Sequence, residues 1–269
     1  MVSASKLQRI RPQLAESRRM YTELSRVLTS AAAHLKAGNN VYVKEREVKS
    51  SAYMIFTGDR GLCGSYNMNI TKWALSYIHE TLRTPGSEKI IAVGLHGWEY
   101  LQNRGLHIHQ GYTGLTGTAA FKDAELVGHK IIEQYLSGEF DEIYVLYTRY
   151  DSALELTPIV KKLLPLPVDP ESVLWYESTR FEPDVNNFLD HAAPLYADTL
   201  VYHALTESAV CEHTARMTSM QASTNNADEI LETLTREYNR SRQNAVTQDI
   251  NEIIGGARAL RRQGNYNVR

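Results

Sequence analysis

Cysteine is nearly absent. Cys63 and Cys211 are the only two in 269 residues, too few for a disulfide framework and consistent with a reducing compartment. Long apolar runs are missing as well: none approaches the length of a membrane span, and no signal peptide opens the chain. The expectation is a soluble cytosolic protein that reaches a membrane only through partners. There is no excess of one charge either. The net charge is −2, which gives no global attraction to nucleic acid or anionic lipid. Charge is nevertheless uneven, with Lys6, Arg9, Arg11, Arg18, Arg19 and Arg26 near the start and Arg258, Arg261, Arg262 and Arg269 at the end.

Helix breakers are missing from one long stretch. No proline or glycine falls between Leu195 and Ile254. Each would cost a helix about 1 kcal/mol (Gly) or about 3 kcal/mol (Pro), so one continuous helix is predicted. At about 1.5 Å per residue it would be roughly 90 Å long. Its apolar positions are sparse: Met217, Met220, Ala227, Leu231, Leu234, Tyr238, Ala245, Ile250 and Ile253. Steps of three and four with charges between suit a helix facing a single partner helix, although Ser241 and Gln248 interrupt the seam.

A second helix is predicted from Met1 to Ala37, with Leu7, Ile10, Leu14, Met20, Leu24, Val27, Leu28 and Ala31 in a three-and-four rhythm. Pro12 should kink it. It lacks an N-terminal cap, and Gly38, Asn39 and Asn40 end it. Between the two helices the pattern changes. Strands are predicted at 52–56, 89–94 and 142–150, with a fourth at 156–164 despite Pro158. Helices are predicted at 70–82, 97–103 and 124–136. A proline-marked loop follows at Pro165, Pro167 and Pro170. Alternating strands and helices imply βαβ units and a mainly parallel sheet. The predicted fold is therefore α/β: a Rossmann-like domain (41–193) inserted between two long terminal helices (1–40 and 194–260). Those helices pair as an antiparallel coiled coil, and a basic tail follows at 261–269.

Several residues invite a chemical reading. Gly58, Gly61 and Gly64 lie in a loop after a strand, but no lysine follows and the spacing fits neither a P-loop nor GxGxxG, so a structural turn is expected rather than a phosphate cradle. Cys63 has no histidine partner nearby and reads as a bystander thiol. His107 and His109 lack a third ligand and read as an exposed pair. Asp141 with Glu142, and Glu229 with Glu232, read as solvated charge. Arg216, Arg236, Arg240 and Arg242, with Gln243, Asn244 and Thr247, are either a solvated helix face or polar contacts to a surrounding protein. No convincing active site, cofactor site or metal site emerges.

Longer blocks are more specific. Residues 212–220 (EHTARMTSM), 239–247 (NRSRQNAVT) and 250–260 (INEIIGGARAL) resemble the C-terminal signature of the F-type ATP synthase gamma subunit. Residues 56–66 (FTGDRGLCGSY) and 1–7 (MVSASKL) resemble its other conserved blocks. The resemblance implies a non-catalytic rotor, the central stalk. Its two-helix shaft threads a ring of alpha and beta subunits, and its α/β domain meets the epsilon subunit and the membrane c-ring. Proton-driven rotation is thereby coupled to ATP synthesis, at the cytoplasmic face of a bacterial cell membrane, with no nucleic acid and no nucleotide bound by the chain itself. By position, Arg216, Arg242, Gln243 and Thr247 match polar contacts to the catalytic ring, and Asp59, Arg60, Gly61, Leu62, Cys63 and Gly64 match a loop read as structural.

Three departures accompany the resemblance. Family members carry roughly two dozen residues before the position of Met1, about 36 Å of helix. Pro12 falls in a helix that should be straight. Arg261 to Arg269 extends past the family's usual end. The alternatives are a truncated or degenerate paralogue that binds the ring without coupling, and an independent nucleotide-binding α/β enzyme with a helical arm.

Overall fold

The computed structural model describes residues 2–35, 40–81, 86–117, 119–167 and 181–266. Their order is α1 (Val2–His34), β1 (Ser51–Phe56), α2 (Tyr66–Thr81), β2 (Glu88–Val93), α3 (Leu95–Gln102), β3 (Ile108–Tyr112), α4 (Phe121–Leu136), β4 (Glu142–Tyr150), β5 (Leu156–Leu164) and α5 (Val185–Tyr266). Two compact units divide the chain at Ser219/Met220.

In the first unit a five-stranded sheet runs in the order β3-β2-β1-β4-β5. The first three pairings from the β3 edge are parallel, and β5 is antiparallel to β4. Pro158 sits on that edge strand opposite Thr148, where its missing N–H costs least. Strand β1 is buried at every position and faces two cores. Ala52, Met54 and Phe56 join Ile91, Val93, Val145 and Tyr147 against α1, α4 and α5. Tyr53 and Ile55 join Ile90, Ala92 and Leu146 against Ile70, Ala74, Ile78 and Leu101 of α2 and α3. This period-two split makes a three-layer sandwich.

The terminal helices meet antiparallel along this first core. Ser17 Oγ lies 3.2 Å from His203 Nδ1, Arg18 pairs with Glu207, and Tyr21 stacks on His203 and on Tyr196. The α1 seam is Leu7, Ile10, Leu14, Ser17, Tyr21, Leu24, Leu28 and Ala31, a strict alternation of three and four. Met20, expected in that seam, is exposed; Ser17 holds the core position because the spacing, not the hydrophobicity, decides the face. The helix runs unbroken through Pro12, which lies on the exposed face together with Gln8, whose carbonyl loses its intrahelical donor.

Three expectations shift. Strand β3 was not read from the sequence, because its five residues (IHQGY) are only half-buried at a sheet edge and carry no apolar alternation. The α5 helix starts at Val185, and Pro194 lies inside it rather than before it. Asp141 and Glu142 are structural rather than merely solvated: Asp141 accepts from Lys49 and Ser50 N–H at 2.8 and 3.0 Å, and buried Glu142 meets Lys162 at 2.8 Å. Gly38, Asn39, Pro170 and Arg269 lie outside the described residues. In the second unit, every residue from Met220 to Arg258 is exposed. Among them are the seam residues Leu231, Leu234, Tyr238, Ile250 and Ile253.

Candidate functional site: a clamped loop at the strand ends

The loop after β1 leaves the sheet between a strand and α2. Asp59 organises it. Its carboxylate accepts from the N–H groups of Leu95 (3.0 Å), Gly114 (2.9 Å) and Thr116 (3.1 Å), and from the Thr116 hydroxyl (2.8 Å). One side chain thus ties together the connections after β1, β2 and β3. Gly58 N–H donates to Asn67 Oδ1 at 2.7 Å. A Cβ at Gly58 would lie 2.7 Å from the Glu212 carboxyl group, so a side chain there would displace that carboxyl. Leu62 and Gly64 adopt left-handed backbone conformations, with φ of 61° and 58°, and the Leu62 side chain is left exposed.

Helix α5 closes the loop from beneath. Arg216 donates from Nε to the Gly61 carbonyl (3.0 Å), and from Nη2 to the Arg60 carbonyl (2.9 Å) and to Glu212 Oε1 (2.5 Å). Its Nη1 lies 3.2 Å from His213 Nδ1. All three α5 side chains are buried. Burial pushes the Glu212 carboxyl above its ordinary range, although Arg216 and Thr116 oppose it. Burial, reinforced by Arg216, Lys6 and Arg60, lowers the His213 imidazole to about 4, so it is neutral at physiological pH.

The thiols sit beside this clamp. Cys63 and Cys211 share a small cluster with Tyr66, both are free, and burial raises both above the usual thiol value. Cys211 Sγ donates to the Thr148 carbonyl at 3.3 Å. Neither has the electropositive, accessible setting of a nucleophile. His109 pairs with Glu139 at 2.9 Å while His107 is exposed. Among the described residues, no group of three His, Cys, Asp or Glu could hold a metal ion. The described helices include none long and apolar enough to cross a membrane.

The site is therefore a carbonyl-and-carboxylate clamp. Its sequence matches the family described as ATP synthase over residues 1–260. The ATP synthase gamma chain of Staphylococcus saprophyticus is 35% identical over 262 residues, covering 97% of this chain and 91% of that one. The chain belongs to the ATP synthase gamma family. The gamma chain of Desulforamulus reducens is 36% identical over 261 residues, with the same coverage of 97% and 91%. Two solved structures share the fold. One is the Tetrahymena thermophila mitochondrial ATP synthase central stalk and c-ring (TM-score 0.63, 21% identity, 83% of this chain and 96% of that one). The other is the Euglena gracilis mitochondrial ATP synthase with OSCP, F1 and c-ring (TM-score 0.59, 16% identity, 96% and 95%).

As a gamma-family member the chain is a non-catalytic, rotor-shaft subunit. The expected site residues fall into two groups. Asp59 to Gly64 and Arg216 meet in the clamp, where the Arg216 guanidinium is turned into the protein. Arg242, Gln243 and Thr247 lie in the second unit, exposed on α5, where the Thr247 hydroxyl donates to the Gln243 carbonyl one turn back at 2.8 Å. Sequence reasoning missed Glu212, His213 and Thr116 as clamp members. Only the i, i+4 spacing of Glu212 and Arg216 was visible as a signal.

Proposed function

We propose that this chain couples rotation of a membrane c-ring, driven by a proton gradient, to ATP synthesis in a ring of alpha and beta subunits. An epsilon subunit and the c-ring are its partners at the α/β domain. It would work as a peripheral protein at the cytoplasmic face of a bacterial cell membrane. The observation that carries the reading is the clamp: a Rossmann-like sheet whose first strand ends in a loop held by Arg216 and Glu212 of the long helix.

Arg242, Gln243 and Thr247 are the proposed polar contacts to the catalytic ring, supported by their exposure on α5. Arg216 enters the same proposal by position, and any effect it has on the ring would pass through the loop it holds. Asp59 to Gly64 are the proposed structural loop. The domain limits 1–40, 41–193, 194–260 and 261–269 remain part of the proposal.

The test is reconstitution with alpha and beta subunits of a bacterial enzyme, assaying assembly and ATP hydrolysis together. Stoichiometric incorporation with turnover is expected. Failure to incorporate into a ring that accepts a relative's gamma chain would overturn the reading.

A further inference from the structure

Helix α5 has two different means of staying helical. In the first unit its side chains, Leu200, Val201 and Ala204 among them, are buried in the core, and packing holds the backbone. From Met220 to Arg258 every residue is exposed, so helicity there rests on local interactions. Those are few. Among the described residues of this stretch the one ion pair is Arg236–Glu232 at 3.1 Å, with both side chains 71% exposed, which contributes little. Gln221 bonds Asn225 at 3.0 Å and Gln248 bonds Glu252 at 3.2 Å, also on the surface.

The residues just past the packed half are poor helix formers. Ser223, Thr224, Asn225 and Asn226 are consecutive, and side chains of these types compete with the helix for backbone bonds. The Thr224 hydroxyl donates to the Met220 carbonyl at 3.0 Å. Gly255 and Gly256 weaken the far end, and a Cβ at either would meet nothing within 4 Å, so no close approach demands them. A helix growing out of the packed half therefore meets a weak segment almost at once. Beyond it a fresh nucleus is needed, unfavourable by a factor of about 10³. The apolar side chains that would offset this on burial, Leu231, Leu234 and Tyr238, are 67%, 59% and 68% exposed.

We infer that residues 220–258 are a conditional helix: open in the free chain, and helical once a partner buries the stripe of Leu231, Leu234 and Tyr238. The helix described above is the ordered form. Ordering is then coupled to insertion, and the shaft stiffens only inside a completed ring. The role of the ring rests on the function proposed above; the behaviour of the free chain does not.

The test is hydrogen–deuterium exchange of the full chain, alone and with alpha and beta subunits. In the free chain, amides between Asn226 and Arg258 are expected to exchange within about tenfold of an unstructured peptide, and those between Tyr196 and His213 about a thousandfold or more slowly. Comparable protection in the two segments overturns the inference. A variant combining Thr224→Ala, Asn225→Ala, Asn226→Ala, Gly255→Ala and Gly256→Ala should slow exchange over 226–258 by about tenfold and deepen the helical circular dichroism. No change in either signal also overturns it. On incorporation into the ring the same amides should gain about a hundredfold or more in protection. Incorporation without that gain overturns the inference, whereas failure to incorporate counts against the rotor reading and leaves the free-chain result to decide this one.

Discussion

Arg18 of α1 and Glu207 of α5, 189 residues apart in sequence, form an ion pair at the point where both helices meet the end of β4. Glu207 is buried and also accepts from the Tyr150 N–H at 3.2 Å and faces His203 Nε2 at 3.2 Å. Arg18 completes the knot by donating to the Tyr150 carbonyl at 3.2 Å. A shaft that transmits torque needs its two helices fixed to the sheet, and these bonds fix all three to one carboxylate.

Glu207→Gln should therefore destabilise the folded chain by about 1–3 kcal/mol, the range for an unsatisfied buried partner. Burial opposes ionisation of Glu207, but His203 and Arg18 outweigh it and hold its carboxyl below the ordinary 4.5. Because the folded value is depressed, the stabilisation is present above about pH 4.5 and is lost as pH falls through the folded value. Urea unfolding at pH 7 and below pH 4 should show the parent losing stability that the Gln variant never had. Equal pH slopes would remove the charge from the account.

Asp198 behaves in the opposite sense. It lies on α5 against α4, with Oδ1 3.6 Å from His129 Nδ1 and no hydrogen-bond partner for that oxygen among the described residues. Burial pushes it up from 3.8 to about 6, with His129 opposing and Glu125 assisting. A raised acid is a liability when ionised, so stability should rise as pH falls from 7 through 6. Asp198→Asn should gain on the order of 1–2 kcal/mol at pH 7 and lose that slope. Thermal unfolding across pH 5–8 checks both.

Gly128 predicts a reversal of helix propensity. A Cβ there would sit 2.1 Å from Asp198 Oδ1 and 3.0 Å from the α5 backbone. Alanine normally stabilises a helix interior by about 1 kcal/mol over glycine. Here Gly128→Ala must push α4 off α5, and a net loss of about 1–3 kcal/mol is expected. Calorimetry of Gly128→Ala checks this, since a rise in Tm, which helix propensity alone would give, overturns it.

What the sequence disclosed follows from where the signal is local. Strand β4 was legible because Ile143, Val145, Leu146 and Tyr147 form a run buried on both faces. Strand β3 was not, because an edge strand needs no alternation. The breaker-free stretch 195–254 of α5 was legible as a helix, but its start at Val185 was hidden by Pro194, which the surrounding packing overrides. The clamp was half legible. The loop was conspicuous as a glycine-marked turn, whereas its dependence on Glu212 and Arg216 requires two segments about 155 residues apart to meet. Nothing in local periodicity encodes such a meeting.

The four expected contact residues can be separated by comparing stability with function. Arg216→Lys keeps the charge but loses the planar fork that reaches two carbonyls at once, so the loop should loosen. Trypsin cleavage after Arg60 should accelerate in this variant, and the melting temperature should fall. Arg242→Ala, Gln243→Ala and Thr247→Ala remove side chains from an exposed helix. Each should shift stability by no more than about 0.5 kcal/mol and leave Arg60 protected. If those three act on the ring, their cost appears only in the assembled complex, as lost ATP turnover at normal incorporation. A drop in Tm for the triple variant, or unchanged turnover, would return that face to solvated surface. An Arg216→Lys chain with an intact loop and impaired turnover would instead place the Arg216 effect in direct contact with the ring.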